Sequence, residues 1–129
     1  MTNAILIKET HGSDFLSLVE YIRDVAQENG FGILYEINFQ QKFKAKLNIE
    51  FDHYHQLWVC NPSIGYNLLN TDKSIWSLLP CPICIYQEWE KYFVSIVKPS
   101  SQLWLSDNEN ILLLAQKADC LVQDVFDKI

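Results

Sequence analysis

Four cysteines are the residues of this chain best able to do chemistry, and Cys60 has the most informative neighbours. It stands directly before Asn61-Pro62, a pair suited to opening a helix. Asparagine accepts free first-turn amides, and proline fits the first helical position. A cysteine at that junction feels the positive end of a helix dipole, which favours the thiolate and lowers the thiol pKa. The competing and favoured reading makes Cys60 a small buried hydrophobe, the commoner role of a free cysteine, and exposure decides between the two. Cys81-Pro82-Ile83-Cys84 has the spacing of thioredoxin-like redox centres, but Ile85-Tyr86 continues as strand rather than helix. On a strand, Cys81 sides with Ile83 and Ile85 while Cys84 sides with Tyr86, which disfavours one disulfide or one metal between them. His53, His55, Cys60 and the Cys81/Cys84 pair supply zinc-ligand types without the paired-knuckle spacing of structural sites, so no metal or cofactor is expected. There is no Ser-His-Asp order, glycine-rich phosphate loop or metalloprotease helix motif, so the reading leans away from an enzyme.

The elements that must position these residues follow from periodicity. Residues 4–9 suit a strand, and Ser13 is placed to cap the helix that follows. Phe15, Leu18, Val19, Ile22, Val25 and Ala26 then recur at helical spacing opposite Glu20, Arg23, Asp24 and Gln27. Asn29-Gly30 stops that helix, and Phe31, Ile33, Tyr35 and Ile37 alternate as a second strand. Asn38 caps a short helix carrying Phe39, Phe43 and Leu47, and residues 54–60 form a third strand with Leu57 and Val59 on one side. A helix from Asn61-Pro62 runs to about Asn70. Residues 81–87 and 92–97 make a hairpin that Pro99 terminates, and Ser106 to Glu109 has capping-box spacing before a long apolar stripe from Ile111 to Ile129. The order β-α-β-α-β-α-β-β-α predicts an α+β fold, a sheet of about five strands covered by helices, in a single domain over residues 1–129.

Composition limits the partners. The 129 residues are 49% hydrophobic and 20% charged, the balance of a folded domain able to bury one substantial core. Sixteen acidic against ten basic residues leave a net charge of −6, which repels a phosphate backbone, and Arg23 is the sole arginine; nucleic acid is excluded as a partner. The apolar stretches are too short or too interrupted to span a bilayer, and the start of the chain lacks a signal-peptide pattern. Four thiols then imply a reducing, cytoplasmic setting. Trp89 is expected exposed at the hairpin tip and Trp104 folded over an edge of the core. An exposed Trp89 and an edge strand at the hairpin predict self-association as a weak oligomer or homodimer.

Asn29-Gly30-Phe31 leading through Glu36-Ile37-Asn38, then Cys60-Asn61-Pro62, then Leu78-Leu79-Pro80-Cys81 and the strand pair ending near Pro99 resemble the family called domain of unknown function 302. The chain departs from the family pattern at Asn38, where the family has aspartate, and at Glu88-Trp89-Glu90, where it has a smaller glycine-containing turn. The resemblance implies a small α+β fold and no established activity.

Two functional readings remain. One is a non-enzymatic domain binding a small molecule or protein partner in a pocket where Asn61-Pro62 and Leu79-Pro80 interrupt regular structure. The other is a thiol-dependent sulfur carrier or redox protein using Cys60 or Cys81. Both need Cys60, Asn61, Pro62, Pro80 and Cys81 to converge. Residues 71–80 can reach roughly 30 Å when extended, enough to return the chain to the end of the sheet where Cys60 lies and to pair the two strands antiparallel.

Overall fold

The computed structural model describes residues 4–12 and 14–129. Period-two alternation along the strands builds its frame: β1 (Ile5–Thr10), β2 (Gly32–Asn38), β3 (Tyr54–Cys60), β4 (Cys81–Glu88) and β5 (Lys91–Val97). They form an antiparallel sheet in the order β1-β5-β4-β3-β2. The predicted α+β class and element order therefore hold. The expected edge strand at the hairpin does not, because β1 pairs with β5 from Ile5↔Val97 to Thr10↔Tyr92 and takes the edge itself. The hairpin turns on Trp89 and Glu90, at φ 56° and 63°. Positive φ at both central residues is the two-residue turn whose twist matches that of its strands.

One sheet face is dry. The rung Leu6–Ile96–Ile83–Leu57 and the neighbouring Val59, Ile85 and Val94 lie against α1 (Phe15–Glu28) and α5 (Glu109–Lys128). The helix stripes read from the sequence supply the other half of this core, through Leu18, Ile22 and Val25 of α1 and Val122 and Val125 of α5. Ser13, the expected cap of α1, lies outside the described residues. Asp14 does the capping, accepting from the Ser17 amide at 2.9 Å. At α5 the cap is Asn108 rather than Ser106: its Oδ1 accepts from the Asn110 and Ile111 amides, while Ser106 Oγ accepts from the Asn108 amide. In both places adjacent residues can all accept hydrogen bonds, and the chain direction at the helix start selects one.

Helix α2 (Phe39–Leu47) is capped by Asn38 as expected, and α3 (Pro62–Thr71) by Asn61. Two elements were not anticipated: a 3-10 turn at Lys73–Leu78 and α4 (Pro99–Leu103), in which Pro99 both ends β5 and opens a helix. They complete a second core of Leu68, Ile75, Leu103, Ile111 and Ala115 beside the sheet. Leu103 is fully buried there, so Trp104 turns outward and is 66% exposed, which overturns the expectation that it covers the core.

β2 contains an irregularity between Ile33 and Tyr35 that shifts its alternation. Ile33 packs on the dry side, whereas Tyr35 stacks on Trp58 on the opposite face. The four residues read as one alternating face of β2 are thereby divided between two.

Ile111, buried in the second core, and Leu113, more than half exposed, sit two residues apart on α5. Ile111→Ala is expected to cost about 2–5 kcal/mol and Leu113→Ala less than about 0.5 kcal/mol. Denaturant titration checks both, and equal costs would reject the assigned helix face.

Candidate functional site

Val59 stands opposite Cys81 and Gly32 opposite Cys60, so the end of β3 and the starts of β2 and β4 meet at one end of the sheet. Asn61 ties this corner together. Its Oδ1 accepts from the Ile64 amide at 3.0 Å, and its Nδ2 donates to the Gly30 carbonyl at 2.9 Å. Gly30 sits at φ +92°, where other residues are strained. The Leu79–Pro80 peptide, which leads into β4, is cis.

Between these segments lies a cavity of about 30 Å³ whose walls include Cys60, Asn61, Leu79, Pro80 and Cys81, with none of its lining residues charged. Four of the five residues anticipated for a site thus share one recess. Pro62 opens α3 but does not line it. Phe31, Gly65, Trp76, Leu103 and Ala118 are among the other lining residues and were not anticipated. Gly65 had a legible signal, because glycine inside a helix is unfavourable unless something approaches closely. A Cβ there would come within 2.7 Å of Cys60 Sγ and 3.3 Å of the Trp76 ring.

All four cysteines are free thiols. Cys60 donates from Sγ to the Asn61 carbonyl at 3.3 Å, and burial pushes its pKa up. This is opposite to the direction expected from the helix start, and its cause is loss of water around the thiol. Burial, with the nearby Cys60 and Asp119, pushes Cys81 up to about 12. Asp119 is itself engaged, accepting from the Ser100 amide at 3.0 Å and the Ser100 hydroxyl at 2.5 Å, which caps α4. Cys84 follows the predicted parity, opposite Gln56 and Ser95 on the other face from Cys81.

The two histidines do not join Cys60. His53 stacks on Phe15 with centroids 4.5 Å apart. His55 Nε2 lies 2.7 Å from Glu36 Oε1, some five residues, or roughly 17 Å, along β3 from Cys60. Among the described residues no group of three or more His, Cys, Asp or Glu is placed to hold a metal. Glu36 also accepts from Arg23 Nε at 2.9 Å and Nη2 at 2.7 Å, and these bonds, with that to His55, hold its carboxyl below its ordinary pKa. No spacing along the chain marks this cluster, since its members come from α1, β2 and β3.

Sheet, helical layer and apolar recess together define a small α+β domain without a polar reaction centre in that recess. The chain belongs to the family described as domain of unknown function DUF302, whose model matches residues 7–129. The crystal structure of an uncharacterized conserved DUF302 protein from Bacillus stearothermophilus has a similar fold, with TM-score 0.85 and 20% identity over 96% of each chain. No curated protein matches the chain. Among the described residues no helix is long and apolar enough to cross a membrane.

At neutral pH, iodoacetamide is expected to modify exposed Cys120 and leave Cys81 intact, as intact-mass analysis would report. Cys81 holds its proton more tightly folded than unfolded, so its contribution to stability is full below the ordinary thiol pKa and is lost as pH rises toward about 12. Glu36 has the opposite sign. Its contribution is present above the ordinary carboxylate pKa and lost as pH falls through its lowered folded value. With the side chain 30% exposed, Glu36→Gln should cost about 0.5–1 kcal/mol at neutral pH and flatten the acid limb of the stability profile.

Proposed function

We propose that this chain acts as a single, cytoplasmic, non-enzymatic binding domain whose apolar recess, at Asn61 and Leu79-Pro80, takes the end of a small apolar molecule. The uncharged lining of that recess carries the reading. A volume of about 30 Å³ is far below the roughly 300–1,000 Å³ of sites that engulf a whole metabolite. It suits a terminal alkyl group or a ring edge entering beside Pro80. Against a catalytic role, both thiols in the recess are held protonated, Asp119 is spent on Ser100, and Glu36 on Arg23 and His55. The same protonation weighs against sulfur transfer or redox exchange, which needs a thiolate. Four free thiols support the reducing location.

The test is a thermal-shift screen with short n-alkanols, toluene and indole on the wild-type protein and on Ala118→Leu, which fills the recess from α5. At least one probe is expected to raise the melting temperature of the wild type and to lose that effect in the filled variant. Ala118→Val serves if the leucine variant is unfolded. No shift with any probe, or a shift that survives filling, overturns the reading.

A further inference from the structure

The sheet has two faces: α1 and α5 cover one, and α2 touches the other at its rim, where Phe39 meets the Tyr54 ring edge-on with centroids 5.6 Å apart. On the other, the rung Ile7–Ser95–Cys84–Gln56–Ile37 crosses all five strands without a charge, and the next runs Glu9–Phe93–Tyr86–Tyr54 with its three rings stacked in series. Ile7 is 57% exposed and Tyr35 49%. We propose that this open face seats a second copy of the chain, face to face, about a two-fold axis passing near Cys84.

Charge selects the occupant. The charges of this face gather at one end, where Lys91 stands opposite Glu88 in the ladder and 3.7 Å from Glu9, so the rungs beyond them offer nothing to a charged partner. Each chain carries a net charge of −6, and two copies approach most closely through a surface free of that charge, which the rung from Ile7 to Ile37 is. Area agrees. Five strands about 4.8 Å apart and some 20 Å long span roughly 500 Å² in projection. Side-chain relief, and the adjoining groove of Phe39, Phe43 and Phe51, bring this toward the roughly 600 Å² per partner at which specific interfaces begin. The position of the axis follows from symmetry. A self-complementary interface is centred on its two-fold, and Cys84 lies mid-strand on β4, the central strand of the sheet.

Sedimentation velocity over a dilution series, with Cys120→Ser as background, tests the proposal. The expected result is a monomer–dimer equilibrium in which Ser95→Arg raises the dissociation constant about tenfold or more while circular dichroism is unchanged. A short bismaleimide should then link Cys84 to Cys84 in the dimer and fail to do so in Cys84→Ser. If Ser95→Arg is misfolded, Ile7→Glu, at an exposed edge position, gives the same readout. A monomer at every concentration overturns the proposal. So does a dimer indifferent to both substitutions, or one that never links through Cys84.

Discussion

The pairing of Leu57 with Ile83 is the constraint on which the rest of this molecule depends. Side chains alternate with period two, so that pairing sends Leu57, Val59, Ile83 and Ile85 to one face together, and a slip of one residue would send either strand's set to the other. With the register as it is, α1 and α5 have a continuous apolar surface to cover. The same register puts Glu36, opposite Leu57, on the helix-covered side, where Arg23 of α1 and His55 of β3 reach its carboxylate. An ion cluster whose members are remote in sequence is thus a by-product of hydrophobic alignment.

The recess has its origin in the way the strands end. β3 leaves the sheet at Cys60 and β4 enters it at Cys81, one rung apart, so the helix that intervenes must start and the loop from the 3-10 turn must finish at the same corner. Gly65 allows α3 to lie close enough to trap Cys60 Sγ, and Trp76 closes the side. Such a corner is largely shielded from water, with Cys81 buried and Cys60 half-buried. Removal of water from the charged form accounts for the upward direction of the Cys60 thiol pKa at this helix start.

What was legible in the sequence was local. Tyr54 to Cys60 as a strand, Asn61 and Asn38 as caps, and the opposite faces of Cys81 and Cys84 all rest on period and short-range hydrogen bonding. What was not legible depended on partners far along the chain. The place of β1 beside β5 requires knowing that the N-terminal strand returns to the hairpin, and the outward turn of Trp104 requires knowing that Leu103 fills the second core. The walls of the recess were half visible for the same reason. Cys60 and Cys81 are marked by residue type, whereas Phe31, Trp76 and Ala118 resemble any other core residue until the corner is assembled.

The composition of the sheet face turned away from α1 and α5 is where folding requirements and sequence part company. A single antiparallel sheet with helices on one side needs only one dry face, and its solvent face is ordinarily polar. β1 of this chain instead places Ile5 and Ile7 outward, and β3, β4 and β5 add a ladder of tyrosine, tyrosine and phenylalanine. Core packing against α1 and α5 does not call for these residues, since none of them touches that layer. Exposed β-branched residues on an edge strand also invite uncontrolled pairing, a hazard that proteins usually limit with charge or proline. Here Lys8 and Glu9 are the charges β1 carries, and Lys8 is turned to the helical side, with its ammonium 4.6 Å from the centre of the Phe126 ring. The outward face of that strand therefore sets Ile5 and Ile7 beside a single acid, Glu9, and the inward Lys8 is the kind of charge that limits pairing at an edge.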